Sequence, residues 1–102
     1  MKQHFVEETS DEIYVTHLRE LKTTIAVLLE GDCAMVGFAT CSSKDQWCRK
    51  IGRHIAVGRA KKAMQYVHTP HTRLCTVPDH IQTATRKDRI TWAIELAKSL
   101  FH

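Results

Sequence analysis

The chain has 102 residues, 43% of them hydrophobic and 25% charged, with a formal net charge of +4. These totals suit one soluble domain with a single modest core and argue against a disordered or fibrous chain. No apolar run nears the roughly 20 residues of a membrane span, and Met1-Lys2-Gln3-His4 opens no secretory signal, so a cytoplasmic protein with no membrane partner is expected.

Residues 1–10 are polar and read as a loose arm of the single domain spanning 1–102. Glu12-Ile13-Tyr14-Val15-Thr16-His17-Leu18-Arg19 is β-branched and aromatic and reads as a strand, with a short helix over Asp11–Leu21 as the competing reading. The run from Thr24 to Leu29 is too short for a buried helix and reads as a second strand. Glu30-Gly31-Asp32 supplies a turn with a glycine where φ can go positive. The chain returns over Ala34–Cys41, where Gly37, Ala39 and Cys41 share one face. That row of small residues suits a helix lying close against the sheet.

Ser42-Ser43-Lys44-Asp45 resembles a capping box with Asp in place of Glu, so a helix is predicted from Ser43 to about Val67. Thr69-Pro70 stops it, because proline disfavours the α region for the residue before it. Cys48, Ile51, Gly52, Ile55, Ala56, Ala63 and Val67 form one stripe at helical spacing, with Arg59 near its middle and Lys62 at its edge. Lys50, Arg53, Lys61 and His68 fall on the solvent side. Gly52 and Gly58 each cost about 1 kcal/mol against alanine in a helix. Close backbone packing or close approach of a ligand would account for such a cost.

Residues 69–84, with Pro70 and Pro78, read as a long connection. Thr85-Arg86-Lys87-Asp88 places an N-cap at Thr85, and Ile90, Ala93, Ile94, Ala97, Leu100 and Phe101 then make an amphipathic helix. Trp92 and Leu96 sit on a second side of it; either the rest of the chain covers them or a homodimer does. The expected fold is α+β: a small antiparallel sheet of two or three strands, packed by a long basic helix and completed by the C-terminal amphipathic helix.

Charge is divided along the chain. Residues 1–32 hold three basic and seven acidic residues, a balance of −4; the rest hold twelve basic and four acidic, a balance of +8. Either the halves neutralise each other or one face attracts phosphates or an acidic protein. Lys44, Arg49, Lys50, Arg53, Arg59, Lys61 and Lys62 lie within 19 residues opposed only by Asp45. That density is a usual footprint for phosphate backbones. Ser42, Ser43 and the first helical amides add an anion site. Trp47 either stacks on a base or anchors the core. Arg59, among Gly52, Ile55, Ala56 and Ala63, needs either a carboxylate from the acidic third or a ligand anion in a pocket.

His68, His71, Cys75 and His80 fall within 13 residues, but their spacing matches no familiar zinc finger, and surface histidines explain them more simply. Cys33, Cys41, Cys48 and Cys75 read as reduced thiols. There is no G-x-S-x-G, H-E-x-x-H, Walker loop or G-x-G-x-x-G. No metal, cofactor or catalytic residue is therefore assigned, and a non-enzymatic binding protein is expected.

Ser42, Lys44, Asp45, Trp47, Gly52, Arg53, Ile55 and Ala56, extended by Arg59 and Ala60, follow a pattern of strand pair, polar S-x-K-D segment, aromatic and G-R-x-I-A helix. This pattern resembles a family of small tailed-phage accessory proteins. The resemblance implies action in the host cytoplasm, on the host or on phage nucleic acid, and implies no catalytic residue. Ser43-Lys44 and Ala60-Lys61-Lys62-Ala63-Met64 are similar to the strand-then-basic-helix end of the double-stranded RNA-binding domain, as a fold analogy. The expected partner is nucleic acid or another phosphate-bearing ligand bound by the basic helix. The alternative is a protein-directed inhibitor of a host enzyme or defence system, using the Trp92/Leu96 side or residues 69–84.

Overall fold

The computed structural model describes residues 4–6, 12–41, 46, 48–63 and 69–100. They form an antiparallel sheet in the order of the chain: β1 (His4–Val6), β2 (Glu12–Leu18), β3 (Thr23–Glu30), β4 (Cys33–Thr40) and β5 (Thr72–Thr76). Helix α1 (Arg49–Lys61) lies between β4 and β5, and α2 (Asp79–Gln82) and α3 (Arg86–Ser99) follow β5. The fold is α+β. None of the described helices is long and apolar enough to cross a membrane.

Local chemistry explains one of the two central hairpins. Between β3 and β4 the turn is Gly31-Asp32, closed by the Glu30↔Cys33 pair, and Gly31 carries φ +61°. Between β2 and β3 a single 3-10 turn, Arg19–Leu21, ends at Lys22, which itself adopts φ +47°.

Strands β2, β3 and β4 are buried on both faces, which is why their sequences read as nearly unbroken apolar runs. On one face Ile13, Val15, Ala26, Leu28, Met35 and Ala39 meet Ala56, Val57, Ala60 and Ala63 of α1 and its C-terminal end. On the other, Tyr14, Ile25, Val27, Leu29, Val36 and Phe38 meet Val77, Ile81, Ala93 and Ala97. The sheet is the middle of three layers.

Several expectations are corrected. The sheet has five strands, not two or three, because both edges of the central meander gain a partner. Part of the expected arm, His4–Val6, pairs with Tyr14–Thr16. Part of the expected long connection, Thr72–Thr76, pairs with Cys33–Gly37, and Asp79–Gln82 is a helical turn. Open strand edges leave backbone donors and acceptors unpaired, and weakly patterned neighbouring segments take them up.

Helix α1 begins at Arg49, because Cys48 has extended backbone angles of −125° and 116°. It ends at Lys61, with Lys62 and Ala63 in a turn, so its 13 residues are far fewer than the predicted run from Ser43 to about Val67; Ser43, the capping box over Ser42–Asp45 and Val67 themselves lie outside the described residues. The helix is also rotated from its predicted seating. A Cβ built at Gly37 would overlap the Ala56 carbonyl oxygen and the Ala60 amide nitrogen. At that separation only alanine fits against β4, so Ala56, Ala60 and Ala63 turn inward. Ile51 and Ile55 are left 60% and 38% exposed.

Helix α3 is capped as predicted: the Thr85 hydroxyl accepts from the Asp88 amide at 3.3 Å. Ala93 and Ala97 are its buried residues, and Trp92 and Leu96, each half-buried, pack against the same core. Phe101 lies outside the described residues. Arg89 forms an ion pair with Glu12, which also accepts from the Tyr14 hydroxyl. Burial pushes the Tyr14 phenol above its ordinary value, opposed by the nearby Arg86 charge. An acidic residue of the first third is thus joined to α3, on the face of the sheet away from α1.

Candidate anion-binding face of the first helix

The 13 residues of α1, Arg-Lys-Ile-Gly-Arg-His-Ile-Ala-Val-Gly-Arg-Ala-Lys, contain five cations, one histidine and no carboxylate. Its rotation sorts them. Turning Ala56 and Ala60 inward sends Lys50, His54 and Lys61 outward along one flank, with Arg53 half-buried below them. Ile51 and Ile55 occupy the opposite flank.

The start of this helix is electropositive twice over. Its N-cap, Cys48, makes no side-chain capping bond, and its first turn holds no acid. Arg49 and Lys50 add two charges where the helix dipole is already positive, an arrangement that disfavours the helix by roughly 0.3–1 kcal/mol per cation. An anion reverses that sign.

Below the same end of α1 lies a buried polar pair. His17 Nδ1 of β2 is 2.9 Å from Thr24 Oγ1 of β3. Gly52 crosses directly above: a Cβ there would come within 2.6 Å of Thr24 Oγ1. Burial, and then the Arg49 and Arg53 charges, hold His17 below its ordinary value of 6.5. Burial and the two arginines thus favour the uncharged form of His17 beneath the first turns of α1.

Two shallow depressions flank the helix, each of about 230 Å³. One is lined by Arg53, His54, Val57, Gly58 and Lys61. The other is largely apolar and includes Ala39, Cys41, Cys48, Gly52, Ile51 and Ile55. The first invites an anion; the second has no charged wall among the described residues.

Of the residues expected to bind, Lys44 and Trp47 lie outside the described residues. Arg49, Lys50, Lys61 and Lys62 are exposed, and Arg53 and Arg59 are half-buried. Lys50, Arg53 and Lys61 share a flank, while Arg59 stands on the other. Its surroundings explain why. Phe38 N–H donates to His71 O at 2.9 Å, but His71 N–H donates to Thr69 Oγ1 at 3.2 Å instead of returning the bond. Arg59 Nη1 takes the place of that amide, donating to Phe38 O at 2.6 Å. Among the described residues its partner is a strand carbonyl, not a carboxylate. Arg73 closes the same corner, 5.8 Å above the Phe38 ring, and donates to the Thr69 and Thr72 carbonyls.

His54 and the His17–Thr24 pair were missed by sequence reasoning, whereas Gly58 was singled out there for its cost to the helix. His54 stands one turn beyond Lys50, so i,i+4 spacing would have found it. The His17–Thr24 pair leaves no local signal, since it depends on strand register and on where Gly52 crosses.

His71 and His80 are exposed, Cys75 is half-buried against the core on the α3 side, and His68 lies outside the described residues. Among the described residues no group of three or more His, Cys, Asp or Glu is placed to hold a metal ion. All four cysteines are free thiols, and burial pushes Cys75 up.

No protein-family model, curated protein or solved structure matches this chain.

Proposed function

We propose that this protein is a non-enzymatic binding protein whose α1 flank, Lys50, His54 and Lys61 with Arg53 below, takes a phosphate-bearing polymer. The observation that carries the proposal is the outward row of cations on a helix with no acid of its own. Arg49, at the electropositive N-terminus, extends the row, and Lys44 and Trp47 are proposed from the sequence alone to act with it; Lys62 falls at helical spacing with Ile51 and Ile55 on the opposite flank. The G-R-x-I-A resemblance adds a phage accessory role in a host cytoplasm to the same proposal. A single strand is the simplest ligand, because the row from Lys50 to Lys61 spans about 16 Å, enough for two or three phosphates.

Fluorescence polarisation with a labelled oligonucleotide at several salt concentrations tests it. About three phosphate contacts on a single strand give a log–log salt slope near −2. Lys50→Glu with Lys61→Glu reverses two exposed charges and is expected to remove most binding while the fold is kept. Affinity indifferent to salt, or unchanged in this variant, refutes the proposal.

The largely apolar depression beside Ile51 and Ile55 favours a second reading, a protein-directed inhibitor. Nuclease-resistant capture that Ile51→Lys abolishes would support it.

A further inference from the structure

Both helical glycines want a reason, and the structure explains only one. Gly52 is held to glycine by Thr24 beneath it. At Gly58, nothing among the described residues lies within 4 Å of a built Cβ, and its backbone carries no positive φ. Neither packing nor conformation accounts for it. Helix propensity disfavours glycine there, so the position calls for something that approaches from outside.

Gly58 has a particular place on the flank. Lys50, His54, Gly58 and Lys61 follow one another at spacings of four, four and three, a single row on the helix surface. Gly58 is the gap in that row. The depression lined by Arg53, His54, Val57, Gly58 and Lys61 lies over the gap. Its charged and ionisable walls are all nitrogen donors, and no carboxylate lines it. A side chain at position 58 would fill the space between His54 and Lys61.

We infer that the Gly58 gap is the seat of one phosphate group, held between His54 and Lys61 above Val57. This rests on the proposed polymer-binding reading and names the point on α1 where the phosphate is read. Lys61 supplies a point charge, the His54 ring a directional N–H, and the missing side chain the room. The group is a phosphodiester of a strand or the monoester of a free nucleotide; both present the same oxygens.

The test separates seat from surface. Gly58→Gln fills the gap with a neutral side chain and improves helix propensity. It is expected to raise the thermal midpoint while weakening a labelled single strand of about 12 nucleotides roughly tenfold, as for one lost charge-assisted bond. Inorganic phosphate added to the wild-type protein, against matched chloride, should shift the Gly58 amide and His54 ring resonances. Saturable shifts with inorganic phosphate but no strand binding would assign the seat to a free monoester and sink the polymer reading. Strand binding lost in the Lys50→Glu, Lys61→Glu variant but intact in Gly58→Gln leaves the polymer reading standing and overturns the seat. Phosphate shifts spread over all the lysines, with none at Gly58 or His54, overturn it too. No binding of either probe ends both.

Discussion

Replacing Gly37 by alanine tests the contact that orients α1. A Cβ at this position overlaps the Ala56 oxygen and the Ala60 nitrogen and comes to 2.9 Å from the Arg59 carbonyl carbon. Ordinary contact begins near 3.4 Å, and all three obstacles are helix backbone, which cannot rotate aside as a side chain can. The helix must lift from β4. Overpacking of this kind typically costs about 1–3 kcal/mol. Lifting also withdraws the buried methyls of Ala56, Ala60 and Ala63, each worth roughly 0.8 kcal/mol if fully exposed. With partial exposure, the combined loss is about 3 kcal/mol, a large share of the roughly 5–15 kcal/mol typical of a domain. Urea denaturation followed by circular dichroism measures it, with the thermal midpoint expected to fall by roughly 12–24 °C. A Gly37→Ala protein as stable as the parent would refute the close crossing, and with it the reason that Ile51 and Ile55 face solvent.

Two more consequences concern single side chains. Arg59→Met removes the donor to the Phe38 carbonyl and is expected to cost about 1–3 kcal/mol, with Arg59→Lys recovering part of it. A urea midpoint unmoved by Arg59→Met would show that the bond carries no weight. His17 is held below 6.5 in the folded chain, so the unfolded chain takes up the proton first as pH falls. Its stabilising contribution is complete above about pH 6.5 and is lost as the pH drops through the lowered folded value. Urea midpoints at pH 7.5 and pH 5 should therefore differ less in His17→Gln than in the parent. An equal difference would mean that another group sets the acid response.

The relation between sequence and structure is plainest where the controlling interaction is local. Thr85 caps α3 because its hydroxyl reaches an amide three residues on, a geometry written into Thr-x-x-Asp. Gly31 turns the β3–β4 hairpin because it adopts positive φ without a Cβ penalty. The strand reading of residues 12–19 survived its helical competitor because Ile13, Tyr14 and Val15 are all buried and bury on alternate faces, as strand residues between two helical layers do. The small residues of β4 announced a close helix, and Gly37 is where α1 touches.

Other features depend on distance in space rather than in sequence. A helical wheel ranks residues by hydrophobicity and so chose Ile51 and Ile55 for the interior along with Ala56 and Ala63. Contact with Gly37 ranks them by size; it kept the two alanines, added Ala60 and turned the isoleucines out. That one rotation decides which cations share a flank and makes Arg59, expected to meet either a carboxylate or a ligand anion, the donor to a strand carbonyl. Strands β1 and β5 carry little pattern of their own; their pairing answers the unpaired edges of β2 and β4. The amino-acid order by itself determined the Gly31 turn, the α3 cap, the α+β class and a helix rich in cations. Only the tertiary structure decided which way that helix faces, because the spacing between two backbones is a property of their packing and is encoded in neither segment alone.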